Sequence, residues 1–164
     1  MRGAKRMNKP QSLDPLTVPL SGRYLIEASA GTGKTYTLSA LYLRFILGHD
    51  PGNPAREPLL PPDILVVTFT IAATKELSDR IRARLTAAAA CFSGYAEPDP
   101  KDAVLNGLLE AYPAGPEREK YAAHLQAATD WMDEAAIYTI HGFCNRMLTQ
   151  HAFNSGSTFD LTLS

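Results

Sequence analysis

Two hydrophobic rhythms alternate along the 164-residue chain. Short apolar runs at Tyr24-Leu25-Ile26, Ile64-Leu65-Val66-Val67-Thr68-Phe69 and Ala136-Ile137-Tyr138-Thr139-Ile140 read as strands. The first of these strands is expected over 23–27. The second run, aliphatic and β-branched, suits a parallel strand buried on both faces. Elsewhere apolar residues recur at helical spacing. Leu38, Leu41, Tyr42, Phe45 and Ile46 predict a helix over 34–47, with Gly48 just past its end. Leu77, Ile81 and Leu85 fall four apart and predict the inner face of a helix over 72–90. A shorter helix is expected over 102–112, weakened by Gly107. Another is expected over 117–133, carrying Tyr121, Leu125 and Met132. The last spans 142–153, with Phe143, Met147 and Leu148 as its stripe.

Proline and glycine mark the joints. Pro15 and Pro19 make 13–20 an extended lead-in. Residues 49–62 form a proline-rich surface loop, and Gly94, Pro98 and Pro100 mark a second loop over 93–101. Strand, helix, strand, helices, strand, helix predicts an α/β fold, a parallel sheet flanked by helices. Ligands of such sheets bind at the carboxyl ends of the strands. The three ends here are polar or glycine-rich: Glu27 to Thr35, Thr68 to Thr70, and Thr139 to Gly142.

The first of these ends carries the sharpest chemistry. Ala28-Ser29-Ala30-Gly31-Thr32-Gly33-Lys34-Thr35 lies between a strand and a helix, the context of a phosphate-binding loop. Glycines let the backbone close on a ligand, and successive N–H groups then line an anion site. The following helix adds its positive end. Lys34 is the residue for the β- and γ-phosphates, and Thr35 the oxygen ligand for Mg²⁺. Ala28 stands where the common pattern has glycine, so the loop reads A-x-x-G-x-G-K-T.

Composition narrows the classes. Apolar residues make up 45% and charged residues 20%, which fits one ordinary globular domain. The net charge of −1 gives no whole-chain signature of nucleic-acid binding, so any such surface is a local patch. Cys91 and Cys144 lie far apart and outside any C-x-x-C spacing, which argues against a disulfide framework or zinc site and for a reducing cytoplasm. No apolar stretch reaches membrane-span length. Arg2, Lys5, Arg6 and Lys9 precede no apolar segment; residues 1–12 read as a disordered basic leader, not a secretory signal.

The strand ends also resemble one family when taken together. They are Ala28 to Thr35, then Val67-Thr68-Phe69-Thr70-Ile71-Ala72-Ala73-Thr74-Lys75-Glu76-Leu77 with Arg80 and Arg82, then Tyr138-Thr139-Ile140-His141-Gly142-Phe143 through Leu148. In this order they resemble motifs I, Ia and Ib of UvrD/RecB-like superfamily 1 DNA helicases. Leu13-Asp14-Pro15-Leu16, Met132-Asp133-Glu134-Ala135-Ala136 and Ala152-Phe153-Asn154-Ser155-Gly156 are similar to the RecB type in particular. The resemblance implies a partial RecA-like P-loop NTPase sheet, the N-terminal part of motor domain 1A. It places this domain over 13–153 and the start of an inserted subdomain over 154–164. It implies ATP and Mg²⁺ at Ala28 to Thr35, with Lys34 and Thr35 as the catalytic residues. It also implies a single-strand DNA track along Thr68, Phe69, Thr70, Thr139, His141 and Gly142. Threonine hydroxyls suit phosphates and Phe69 could stack on a base; the bland alternatives are a core aromatic for Phe69 and a structural histidine for His141. Ile71 stands where RecB-type members commonly carry an acidic or amide residue, and no adenine-reading glutamine motif precedes the loop.

The parent activity implied is ATP-driven 3′→5′ unwinding of DNA ends with exonuclease action. It serves double-strand break repair and recombination, with RecC- and RecD-like partner subunits. Hydrolysis needs a second carboxylate at a strand end and an arginine for the transition state. Asp133-Glu134 follows a helical pattern and reads as a helix end, not as the metal-binding pair. The chain alone is thus expected to bind ATP–Mg²⁺ weakly, without coupled hydrolysis and without helicase or nuclease activity. Two other readings stay open: a small stand-alone P-loop kinase, and a truncated, non-functional gene product.

Overall fold

The computed structural model describes residues 11–26 and 33–155. Most of the basic leader, Glu27 and the loop residues Ala28 to Thr32, and the segment from Gly156 lie outside the described residues. Among the described residues five helices are seen: α1 (Gly33–Leu47), α2 (Ile71–Phe92), α3 (Ala103–Ala111), α4 (Pro116–Asp130) and α5 (Ile140–Ser155). Two strands, β1 (Val66–Thr68) and β2 (Ile137–Thr139), pair in parallel with Val66 opposite Ile137, Val67 opposite Tyr138 and Thr68 opposite Thr139. Short 3-10 turns occupy Pro61–Asp63 and Trp131–Glu134. The α/β class and the parallel pairing follow the expected order of elements.

The core is built around α2. Its buried residues Leu77, Ile81, Leu85 and Phe92 meet Leu43, Ile46 and Leu47 of α1, Leu105 and Leu108 of α3, and Leu125 of α4. Thr70 caps α2 by accepting the Ala73 N–H at 3.0 Å, and Asp102 caps α3 by accepting the Leu105 N–H at 3.1 Å. Gly48 ends α1 at φ 67°, with its N–H donating to Phe45 O and the His49 N–H donating to Arg44 O.

Several sequence expectations need correction. Tyr24 and Leu25 are exposed, and residues 23–26 form no strand; their backbone groups pair with neither β1 nor β2. The second strand is not buried on both faces: Leu65 and Val67 are exposed, because helices cover only the side bearing Val66 and Ile137. The stripe of α1 is rotated, with Leu38 exposed and Leu43 and Leu47 buried. Its C-terminal half is enclosed on more than one side, since Arg44 faces the lead-in and is itself fully buried. The α5 stripe is open, with Met147 and Leu148 exposed.

The lead-in is also more compact than extended. Asp14 folds it into a turn, its carboxylate accepting the Leu16 N–H at 2.9 Å and its carbonyl accepting the Val18 N–H at 3.0 Å. Arg44 Nη1 then donates to Pro15 O at 3.0 Å and Val18 O at 2.7 Å, while its Nε donates to His49 O at 3.0 Å. Buried Asp50 accepts the Leu20 N–H at 3.2 Å. Leu16 packs over Gly107, where a Cβ would lie 2.4 Å from Leu16 Cδ2. Gly107 therefore serves docking at some cost to the helix it sits in.

Candidate functional site

The described end of the glycine-rich loop is the first turn of α1. Its leading N–H groups have no carbonyl partner inside the helix, and no acidic side chain occupies that turn. Gly33 faces open space, Lys34 is exposed, and Thr35 is half-buried. Beside them opens a cleft of about 440 Å³. Its walls are Gly33, Thr35, Tyr36 and Ser39 of α1, Glu76, Arg80 and Arg84 of α2, and Asp102 at the start of α3. A helix start and a hydroxyl on one cleft fit a phosphate-bearing ligand with a hard metal ion, while Lys34 is exposed beside the cleft and is not among the residues that line it. The other loop residues, Ala28, Ser29, Ala30, Gly31 and Thr32, lie outside the described residues.

The second group of residues gathers where β1 and β2 end. The parallel register sets Thr68 beside Thr139, so Thr68 to Thr70 and Thr139 to Gly142 leave the sheet at one end. Their hydroxyls take part in local structure. Thr68 Oγ1 donates to Thr70 O at 3.1 Å and is hydrogen-bonded to Thr74 Oγ1. Thr139 Oγ1 accepts the Gly142 N–H at 3.0 Å, and a Cβ on Gly142 would come within 3.1 Å of that oxygen. Glycine thus permits the cap that starts α5. Thr70 and Thr139 act as acceptors in their caps, which leaves each hydroxyl proton for another partner. Phe69 is 89% exposed, so the core-aromatic alternative does not apply, and neighbouring Ile71 is 81% exposed. His141 is exposed in the first turn of α5.

The same end carries aromatic and cationic groups that the sequence did not assign to the strand-end track. Tyr138 stacks with Phe143 at 6.5 Å, and the Arg146 guanidinium sits 5.3 Å from the Tyr138 ring centre. Arg82 bonds Asp133 at 2.7 Å, tying α2 to the turn before β2. Asp133 and Glu134 lie in the 3-10 turn, as expected of a helix end.

The strongest perturbations of ionisation lie outside the cleft. Burial pushes the Tyr112 hydroxyl up to about 12 and raises Tyr42 further still. Burial, then the nearby Arg44 charge, lowers the pKa of His49, whose Nδ1 lies 3.2 Å from the Tyr112 hydroxyl. These groups lie at the far end of α1 and belong to its anchorage.

Sequence reasoning missed Tyr36, Ser39, Arg84 and Asp102 as cleft residues. A signal was present on α2: Glu76, Arg80, Ala83, Arg84 and Ala87 recur at helical spacing and line one wall. A charged stripe interrupted by alanine is open to two readings. Arg84, which bonds Asp102, faces the cleft, whereas the Lys75–Asp79 pair at 3.0 Å is the solvated kind.

A cleft at the start of the helix after a glycine-rich loop is the nucleotide site of many folds, and comparison with known proteins decides among them. Residues 7–163 match the UvrD/REP helicase N-terminal domain. The chain belongs to the UvrD/REP helicase N-terminal domain family. Its relatives include the RecBCD enzyme subunit RecB of Haemophilus influenzae, 49% identical over 152 residues, and that of Escherichia coli, 46% identical over 154. The RecB subunit of Mycobacterium tuberculosis is 31% identical over 158 residues. These alignments cover 92%, 93% and 96% of this chain but 12%, 12% and 13% of the relatives' own lengths. The helices and the two-stranded parallel sheet are part of the P-loop NTPase fold of this helicase domain. Among the described residues, no helix is long and apolar enough to cross a membrane.

Proposed function

We propose that this chain is the nucleotide-binding part of a RecB-like motor that couples ATP to 3′→5′ movement on DNA. The observation that carries this reading is the cleft beside Gly33, Thr35 and Tyr36, at the start of the helix that follows the glycine-rich loop. Ala28 to Thr35 bind the triphosphate. Lys34 neutralises the β- and γ-phosphates, and Thr35 ligates Mg²⁺, which supplies further charge neutralisation. The near end of α2 joins the two regions: Glu76 lines the cleft, and the helix begins at Ile71, directly after Thr68 to Thr70.

Thr68, Phe69, Thr70, Thr139, His141 and Gly142 form the DNA track. Phe69 offers an open aromatic face for a base, and the helix starts after Thr70 and Thr139 offer N–H groups for phosphates. The whole protein acts in the cytoplasm in double-strand break repair and recombination, with unwinding and exonuclease activities and RecC- and RecD-like partners. Alone, the chain binds nucleotide without coupled hydrolysis. Asp133, the carboxylate nearest in pattern to a second metal ligand, is instead engaged by Arg82.

The test is ligand-dependent stability. Mg–ATP at a hundredfold excess over its dissociation constant should stabilise the chain by about 2.7 kcal/mol. Lys34→Ala should abolish that gain without lowering the stability of the free chain, since Lys34 is exposed. A wild-type chain whose unfolding midpoint ignores millimolar Mg–ATP sinks the reading.

A further inference from the structure

Asp102 is shared by three helices. Besides capping α3, its Oδ1 accepts the Tyr36 hydroxyl of α1 at 3.3 Å, and its Oδ2 accepts from Arg84 Nη1 of α2 at 3.2 Å. The Arg84 guanidinium carbon lies 4.8 Å from the centre of the Tyr36 ring. Arg84 Nε donates to Ser39 Oγ at 3.0 Å, and Ser39 in turn donates to the Tyr36 carbonyl at 2.9 Å. Tyr36 is therefore held at its ring face, its hydroxyl and its backbone. The Arg84 and Asp102 side chains are largely shielded, at 12% and 22% exposure, so their attraction is less screened than that of a surface pair. Tyr36 itself stays partly exposed on the cleft wall, directly after Thr35.

We propose that Arg84 and Asp102 are positioning residues that fix Tyr36 as the wall of the cleft against which the nucleoside half of a nucleoside triphosphate packs. This rests on the nucleotide reading given above. An aromatic side chain free to change rotamer must be ordered when a ligand arrives, at a cost to affinity. Here the ordering is done in advance by groups from α2 and α3. The phosphates have separate partners in the loop, Lys34 and Thr35. Loss of the Arg84–Asp102 pair should therefore weaken recognition of the nucleoside and spare recognition of the phosphates. A merely structural pair would lower both together.

The experiment titrates the full 164-residue chain calorimetrically with Mg–ATP and with Mg–tripolyphosphate, which has three phosphates and no nucleoside. The wild-type chain is expected to prefer ATP. Arg84→Met should narrow that preference by about tenfold, with tripolyphosphate affinity unchanged. Arg84→Lys should narrow it as well, because an ammonium group cannot reproduce the fork that spans Ser39 and Asp102. Asp102→Asn serves as the second variant. Asparagine caps a helix as well as aspartate does, so α3 keeps its start while Arg84 loses its charged partner. An unchanged ATP preference in Asp102→Asn and Arg84→Lys overturns the proposal, as does an equal loss for both ligands. Wild-type chain that binds the two ligands equally also overturns it while leaving the phosphate loop standing. Wild-type chain that binds neither overturns the nucleotide reading and the proposal with it.

Discussion

On one side of the molecule Leu77, Ile81 and Leu85 of α2 are sealed against α1, α3 and α4. On the other side, Leu65, Val67 and Phe69 around β1, and Met147 and Leu148 of α5, are equally apolar and stand exposed. The two regions do not differ in hydrophobic pattern. They differ in whether a second layer faces them. An apolar stripe states that a face seeks a partner, and the partner must come from elsewhere in the chain or the assembly. The closed region therefore carries the stability of this chain, while the open region carries the strand ends proposed as the DNA track.

The largest effect should come from a matched pair of truncations across this divide. Leu85 is 0% exposed and Leu148 is 58% exposed. Leu85→Ala should cost about 3 kcal/mol, the lost transfer energy plus a cavity among helices that relax only in part. Leu148→Ala removes the same atoms from a surface and should change stability by less than about 0.5 kcal/mol. Urea unfolding of the two variants measures the contrast. Equal losses would mean that the α5 face is covered in solution, and the comparison would fail.

A middle-sized effect tests how the closed region is sealed at the end of α1. Gly48 and Gly94 both adopt positive φ, 67° and 78°. A Cβ on Gly94 meets nothing within 4 Å, whereas on Gly48 it would lie 2.7 Å from Arg56 O and 2.8 Å from Pro58 N. Gly94→Ala should cost about 1 kcal/mol for the left-handed conformation alone. Gly48→Ala should cost about 2 kcal/mol, because backbone atoms of the returning loop must also shift. Similar midpoints for the two variants would show that this loop yields freely.

What was legible in the sequence follows the same divide. Helix positions were readable because local periodicity and caps specify them: Leu77, Ile81 and Leu85 are buried as their spacing implies, and Gly48 ends α1 as expected. The helix after the glycine-rich loop was readable for the same reason, and the parallel pairing of the second and third runs from the helices that separate them. Burial of β1 was not, since it depends on elements that must pack across it. Nor was the place of Gly107, which looks like a helix fault until Leu16, distant in sequence, is seen against it. Arg84 and Asp102 were missed because a charge on a helix gives no sign of its partner on another.

The smallest effect concerns pH and the buried anchorage of α1. His49 is held below its ordinary pKa, chiefly by burial and then by Arg44. The folded chain therefore disfavours the imidazolium, while the unfolded chain takes up a proton near pH ~6.5. The stabilisation is fully present above that value. It should decline as pH falls through it, because the unfolded state then binds more protons than the folded one. His49→Gln should flatten this part of the curve relative to the wild-type chain. Comparison with the variant is needed because the chain holds 4 histidines. The check is the urea midpoint between about pH 8 and about pH 5.5 for both chains, a window that spans the unfolded-state titration. Parallel slopes would remove His49 from the pH response.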